Sequence, residues 1–136
     1  MEKTIYTAYS KHNFYNRFFI NAHVLNKNFA PLNPFMNFDY FNGDLVKREL
    51  VYQANEALIK QANEIWVYGI ISDGVLSEIE LAIKLKKNIQ FFRVGSDYES
   101  IKPIEIENIE FEKKVIEKNQ ISKVREELEK YMEEIK

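Results

Sequence analysis

Along this chain the apolar positions switch between a period of two and a period near 3.6, which predicts alternating strands and helices. Thr4 to Ser10 begins with β-favouring residues and ends in a polar cluster, the pattern of a first strand running into a loop. Phe14, Phe18, Ala22 and Leu25 then recur at helical spacing behind Asn13, a suitable N-cap. Pro31 and Pro34 exclude a helix interior between Phe29 and Phe35 and favour a short extended segment leading into a loop. From Asp44, a second suitable cap, to Asn63, the residues Leu45, Val46, Leu50, Ala54, Ala57, Leu58 and Ala62 follow one helical face. Ile65 to Ile71 is nearly all apolar, as expected of a central strand covered on both sides. Ser72-Asp73-Gly74 breaks that run, and Val75, Leu76, Ile79, Ala82, Ile83 and Leu85 resume helical spacing, closed by Lys84, Lys86 and Lys87 where cations suit the helix dipole. A strand over Ile89 to Val94, a last strand over Ile104 to Phe111 and an amphipathic helix over Ser122 to Lys136 complete the prediction.

This order implies an α/β fold with a mainly parallel sheet and right-handed crossovers. With no linker, repeat or low-complexity tract, residues 1–136 are expected to form one domain. Ligands of such sheets bind beyond the carboxyl ends of the strands. Three segments are predicted to meet there: the loop from Tyr9 to Asn16, the segment from Pro31 to Asn42, and the turn Ser72-Asp73-Gly74.

Composition sharpens that picture at one point. Nineteen residues are aromatic and eleven of them fall in the first 41, so two of the three ligand-facing segments are rich in rings. A pocket rimmed by Tyr9, Phe14, Tyr15, Phe35, Phe38, Tyr40 and Phe41 would stack a flat heterocycle. Phe14, Phe18 and Phe19, at helical spacing, are expected in the core. Phe35 to Phe41 suits a binding or oligomer surface as well as it suits a core.

Charge and residue types narrow the chemistry. A formal charge of −2 supplies no basic field for a nucleic-acid backbone or an anionic membrane. The absence of cysteine removes thiolate chemistry, disulfides and Cys-ligated metal, and His12 and His23 are too few for a His-rich metal site, so neither a metal nor a cofactor is expected. The first residues lack the apolar stretch of a signal peptide, and no run approaches the roughly 18 apolar residues of a membrane span, so a cytoplasmic, soluble protein is expected.

The most informative stretch runs from Ser72 to Glu80. It places Glu78 in the first turns of a helix that follows a buried strand, where the helix N-terminus would favour a carboxylate at neutral pH, suited to act as nucleophile or to steady a developing cation. Asp73 stands within reach as a second carboxyl group, and paired carboxyls are what glycosidic chemistry uses. The same spacing also fits ordinary capping, with Ser77 and Glu80 forming a capping box if the helix begins late. The glycines of a dinucleotide fingerprint and the Lys of a P-loop are absent.

Lys3-Thr4-Ile5-Tyr6, Phe29-Ala30-Pro31-Leu32, Ala62-Asn63-Glu64-Ile65 and Gly74-Val75-Leu76-Ser77-Glu78-Ile79-Glu80-Leu81-Ala82 resemble, in order and at similar distances, the nucleoside 2-deoxyribosyltransferases and related short bacterial and phage proteins. The resemblance spans roughly Lys3 to Phe92. It implies a Rossmann-like or flavodoxin-like three-layer αβα sandwich with a mainly parallel sheet of four to five strands. It gives Glu78 the place of the family's nucleophile, Tyr6 that of the tyrosine positioning it, and Glu64 that of an acidic residue before the third strand. Ser72 stands where the transferases carry Asp, with Asp73 beside it. The loop after the first strand is similar to the phosphate-reading loop of the 2'-deoxynucleoside 5'-monophosphate N-glycosidases. There Ser10, Lys11 and Arg17 are candidates to hold a phosphate, although the glycines that admit an anion to the backbone are missing.

Taken together, these readings predict cleavage or transfer at the N-glycosidic bond of a nucleoside or nucleotide. Glu78, Asp73, Tyr6 and Glu64 would be the catalytic group, and Tyr9, Ser10, Arg17, Phe35, Phe38, Tyr40, Ser72 and Gly74 would bind substrate. The alternative is a non-catalytic module of the same fold that binds a nucleotide-like ligand. A homo-oligomer, at least a dimer, is expected from the apolar load of Phe35 to Phe41 and because the resemblance implies shared active sites.

Overall fold

The computed structural model describes residues 1–37 and 45–136. The predicted ring-bearing residues Phe38, Tyr40 and Phe41 and the predicted cap Asp44 lie outside the described residues. Five strands form one sheet: β1 (Thr4–Tyr9), β2 (Ala30–Leu32), β3 (Glu64–Tyr68), β4 (Asn88–Arg93) and β5 (Lys102–Pro103). Their spatial order is β2-β1-β3-β4-β5, with β1 parallel to both β2 and β3, β3 parallel to β4, and β5 antiparallel to β4. Pro31 is tolerated because β2 pairs on one side only, at the sheet edge. The order reverses between β1 and β3, which makes the crevice at their carboxyl ends the expected ligand position.

Helices α1 (Arg17–Asn26), α2 (Pro34–Asn37), α3 (Arg48–Gln61), α4 (Asp73–Lys84), α5 (Lys113–Lys118) and α6 (Ile121–Glu134) flank the sheet. Because strand side chains alternate, each strand feeds both layers. Tyr6, Ala8, Ile65, Val67, Ile89 and Phe91 pack with Ile59 of α3, Val75, Ile79 and Ala82 of α4, and Leu128 and Tyr131 of α6. On the other side Ile5, Tyr9, Trp66, Tyr68 and Phe92 pack with Ile20 and Val24 of α1. All of β3 is buried, as its unbroken apolar run predicts. The result is a three-layer α/β sandwich.

Five expectations are corrected by local geometry. Ser10, rather than Asn13, caps the segment after β1: its hydroxyl accepts from the His12 N–H at 3.1 Å and starts a 3₁₀ turn over Lys11–Asn16. That turn resets the register of α1 so that Ile20, His23 and Val24 face inward, leaving Phe18 60% and Phe19 38% exposed instead of in the core. α3 begins at Arg48, with Leu45, Val46 and Leu50 exposed and Ile59 its one fully buried residue. β3 stops at Tyr68, because Gly69 takes a φ of 77° and turns the chain, leaving Ile70 exposed and Ile71 buried. The last predicted strand is a two-residue β5, a 3₁₀ turn over Ile106–Asn108 and a single parallel bridge between Ile71 and Phe111. Ile109 closes that turn on the Ile106 carbonyl and reaches the core through it, so burial there does not require a strand.

α6 lies on its own sheet: Leu128 and Tyr131 are buried, and the Tyr131 hydroxyl donates to the Lys87 carbonyl at 2.5 Å. Among the described residues, no helix is long and apolar enough to cross a membrane.

Candidate functional site

The site is built on α4 and β1. Ser72 caps α4, its hydroxyl accepting from the Val75 N–H at 3.2 Å, so the helix starts at Asp73 and the late start that a Ser77–Glu80 capping box needs does not occur. Counting from Asp73, Glu78 falls in the second turn, beside the stripe of Val75, Ile79 and Ala82 that packs on the sheet. Tyr6 points into the same layer from β1, and its hydroxyl donates a hydrogen bond to the Glu78 carboxyl. These two residues are 72 positions apart and are joined only because α4 crosses over β1.

The protonation state of Glu78 differs from the sequence-based expectation. The favourable field of a helix N-terminus fades within its first turn, and Glu78 lies beyond it. Glu78 is half-buried in its layer, and desolvation pushes its carboxyl up to about 7, opposed in part by the hydrogen bond from Tyr6. At neutral pH the carboxyl and carboxylate forms are therefore both populated. Burial, with the adjacent Glu78 charge, holds the Tyr6 phenol well above its usual value, so it stays a donor.

The other proposed catalytic carboxyls are placed elsewhere. Asp73 is exposed and pairs with Lys118 at 2.9 Å. Five residues before Glu78, it lies about 140° around the helix from it. Glu64 opens β3 and shares a face with Trp66, which puts it on the opposite side of the sheet from Tyr6 and Glu78. It is fixed there by Lys3 at 3.0 Å, the Trp66 indole at 3.1 Å and Gln90 at 3.4 Å. Burial would raise its pKa, but these hydrogen bonds and the Lys3 charge outweigh it and hold the group low. Neither residue is positioned as an acid beside Glu78.

The predicted binding residues also divide. Tyr9 is buried on the α1 side, where its hydroxyl donates to Asn33 Oδ1 at 2.6 Å and its ring lies 5.0 Å from that of Phe35. Phe14 meets Phe35 edge-on at 5.7 Å, so these rings pack on one another. Burial raises the Tyr9 phenol, offset partly by Asn33 and Arg17. Ser10 is committed to the His12 cap and donates to Glu112 at 3.2 Å. Arg17 lies over the rings of Phe14 and Phe18, at 4.1 and 4.6 Å, and donates to the Phe14 carbonyl, so it does not converge with Ser10 on an anion. Ser72 and Gly74 open α4, and a Cβ at Gly74 would meet nothing closer than Ser72 Oγ at 3.9 Å. Phe38 and Tyr40 lie outside the described residues.

One contact at the sheet's carboxyl end escapes a sequence reading. The side-chain amide of Asn13 lies against Gly69, where a Cβ would overlap it, so the loops after β1 and β3 touch at that point. An isolated glycine inside an apolar run is the signal that could have shown this close approach. Among the described residues, no group of three or more His, Asp or Glu is arranged to hold a metal.

Residues 4–92 match the family described as a domain of unknown function (DUF7768). The match runs from β1 into β4 and includes both Tyr6 and Glu78. It covers well over half of the 136 residues, and the chain belongs to that family. No curated protein matches the chain.

Proposed function

We propose that this member of the DUF7768 family cleaves or transfers the N-glycosidic bond of a nucleoside or nucleotide, with Glu78 as nucleophile. The observation that carries the reading is the Tyr6 hydroxyl donating to a half-buried carboxyl on the second turn of α4. In this mechanism an oxygen of ionised Glu78 forms a bond to the anomeric carbon while the carbon–nitrogen bond breaks and its electron pair leaves with the base. The departing base takes its proton from water, since Asp73 and Glu64 are turned away from Glu78. Water, or a second base, then attacks the glycosyl ester and regenerates the carboxylate. Tyr6 holds the carboxyl in place and acts as a positioning residue. No cofactor or metal enters this chemistry, and we place the protein in the cytoplasm, where nucleotides are abundant.

A second reading, non-catalytic binding of a nucleotide-like ligand, is favoured by a different observation. Ser72 stands where the resembling transferases carry Asp, its hydroxyl is used as a helix cap, and neither Asp73 nor Glu64 faces Glu78. Incubation with nucleosides, their 5'-monophosphates and NAD, with base release followed by chromatography, separates the two. Turnover abolished by Glu78→Ala supports the first reading. Tight binding without turnover by the intact chain supports the second.

A further inference from the structure

A groove of about 940 Å³ opens at the carboxyl end of the sheet, and neither Tyr6 nor Glu78 lines it. Its floor is apolar, contributed by Val67, Ile70, Phe91 and Phe111. Its rim is basic and comes from three separate segments: Lys11 in the turn after β1, Arg93 at the end of β4, and Lys113 and Lys114 at the start of α5. None of these four cations has an ion-pair partner among the described residues. The carboxylates on the rim are Glu110 and Glu112, and Glu112 is already engaged by Ser10 at 3.2 Å and His12 at 3.4 Å. Four cations against two carboxylates make the groove formally positive by two on a chain that is formally −2. That inversion of sign falls at the end of the sheet where parallel α/β folds bind ligands. The volume falls in the range of small-molecule sites.

We propose that this groove binds a small organic phosphate of nucleotide type, its flat part against the exposed Ile70 and its phosphate met by Arg93 and the rim lysines. Guanidinium and ammonium groups that line one groove from three segments suit a multiply charged anion, with Arg supplying the forked contact. The apolar floor adds area that a bare inorganic anion cannot use. A polyanionic macromolecule fits less well, because the rest of the chain repels it. Occupancy of the groove is independent of bond cleavage at Glu78, so the two can fail separately.

Isothermal titration of the full chain with AMP, ADP, adenosine and inorganic pyrophosphate tests this at low salt. AMP or ADP is expected to bind, with adenosine and pyrophosphate each weaker by roughly tenfold or more. The double variant Arg93→Glu, Lys114→Glu, at two exposed positions, should lose roughly tenfold or more in affinity. Lys130→Glu, on exposed α6 surface away from the groove, should leave affinity unchanged. Circular dichroism of each variant separates loss of binding from loss of fold. The proposal is overturned if neither nucleotide binds, if pyrophosphate binds as tightly as the nucleotides, or if the folded double variant binds as well as the parent. It is also overturned if Glu78→Gln abolishes binding, which would put the ligand at Glu78.

Discussion

Replacing Glu78 by Gln should stabilise the protein, and by an amount that depends on pH. Gln keeps an acceptor for the Tyr6 hydroxyl and removes the ionisable group. Below its ordinary 4.5 the Glu78 carboxyl is protonated in both folded and unfolded chains and costs the fold nothing. Between 4.5 and about 7 the unfolded chain ionises while the folded one resists, so the parent loses stability as pH rises through this window. Above about 7 both are ionised and the fold carries the whole desolvation cost. The interval from 4.5 to about 7, at ~1.4 kcal/mol per pH unit, sets that cost at about 3 kcal/mol. Urea denaturation of parent and Glu78→Gln at pH 4.5 and pH 8 reads it directly. The variant should match the parent at the lower pH and exceed it by about 3 kcal/mol at the higher, roughly 10 °C in Tm for a domain of this size. A difference that is flat with pH, or a variant less stable at pH 8, would refute the reasoning that burial governs Glu78.

Three further outcomes are expected. Gly69→Ala should destabilise by about 2 kcal/mol in thermal denaturation, since it forces a side chain into a left-handed φ and displaces the Asn13 amide; a neutral result would contradict the left-handed turn at Gly69. Ser72→Ala should cost about 1 kcal/mol by loss of the α4 cap, and Ser72→Asp, which also caps, should restore it. Exposed Phe18, Leu45, Leu50 and Tyr52 predict at least a dimer by sedimentation at micromolar concentration, and a monomer mass would count against that.

The layers of the fold are legible in the sequence because they rest on period and composition. The unbroken apolar run at Ile65 to Tyr68, rich in β-favouring residues, suits a doubly covered strand, and Val75, Ile79 and Ala82 repeat at the spacing of a buried helix face. What was not legible depends on single hydrogen bonds. One hydroxyl, that of Ser10, converts the first turn before α1 into a 3₁₀ turn and rotates Phe18 and Phe19 toward solvent. The resemblance gives Glu64 the place of an acidic residue before the third strand, whereas its parity with Trp66 puts it on the other face. Asp73 is near Glu78 in sequence, but proximity along a helix is the wrong measure of which side chains meet. The pairing of Tyr6 with Glu78 spans 72 residues and was suggested by resemblance alone, since no local pattern encodes it.

The central claim is that ionised Glu78 forms a bond to an anomeric carbon. Its most direct test is base release from a panel of nucleosides and 5'-monophosphates by the parent, Tyr6→Phe and Glu78→Ala, measured between pH 5 and 9. A nucleophilic Glu78 gives a rate that rises with pH and levels off above about 7, a limb displaced upward in Tyr6→Phe, which loses the hydrogen bond that lowers the Glu78 pKa, and no release by Glu78→Ala. Turnover that persists in Glu78→Ala, or a parent that binds a nucleotide tightly and releases no base at any pH, would contradict it.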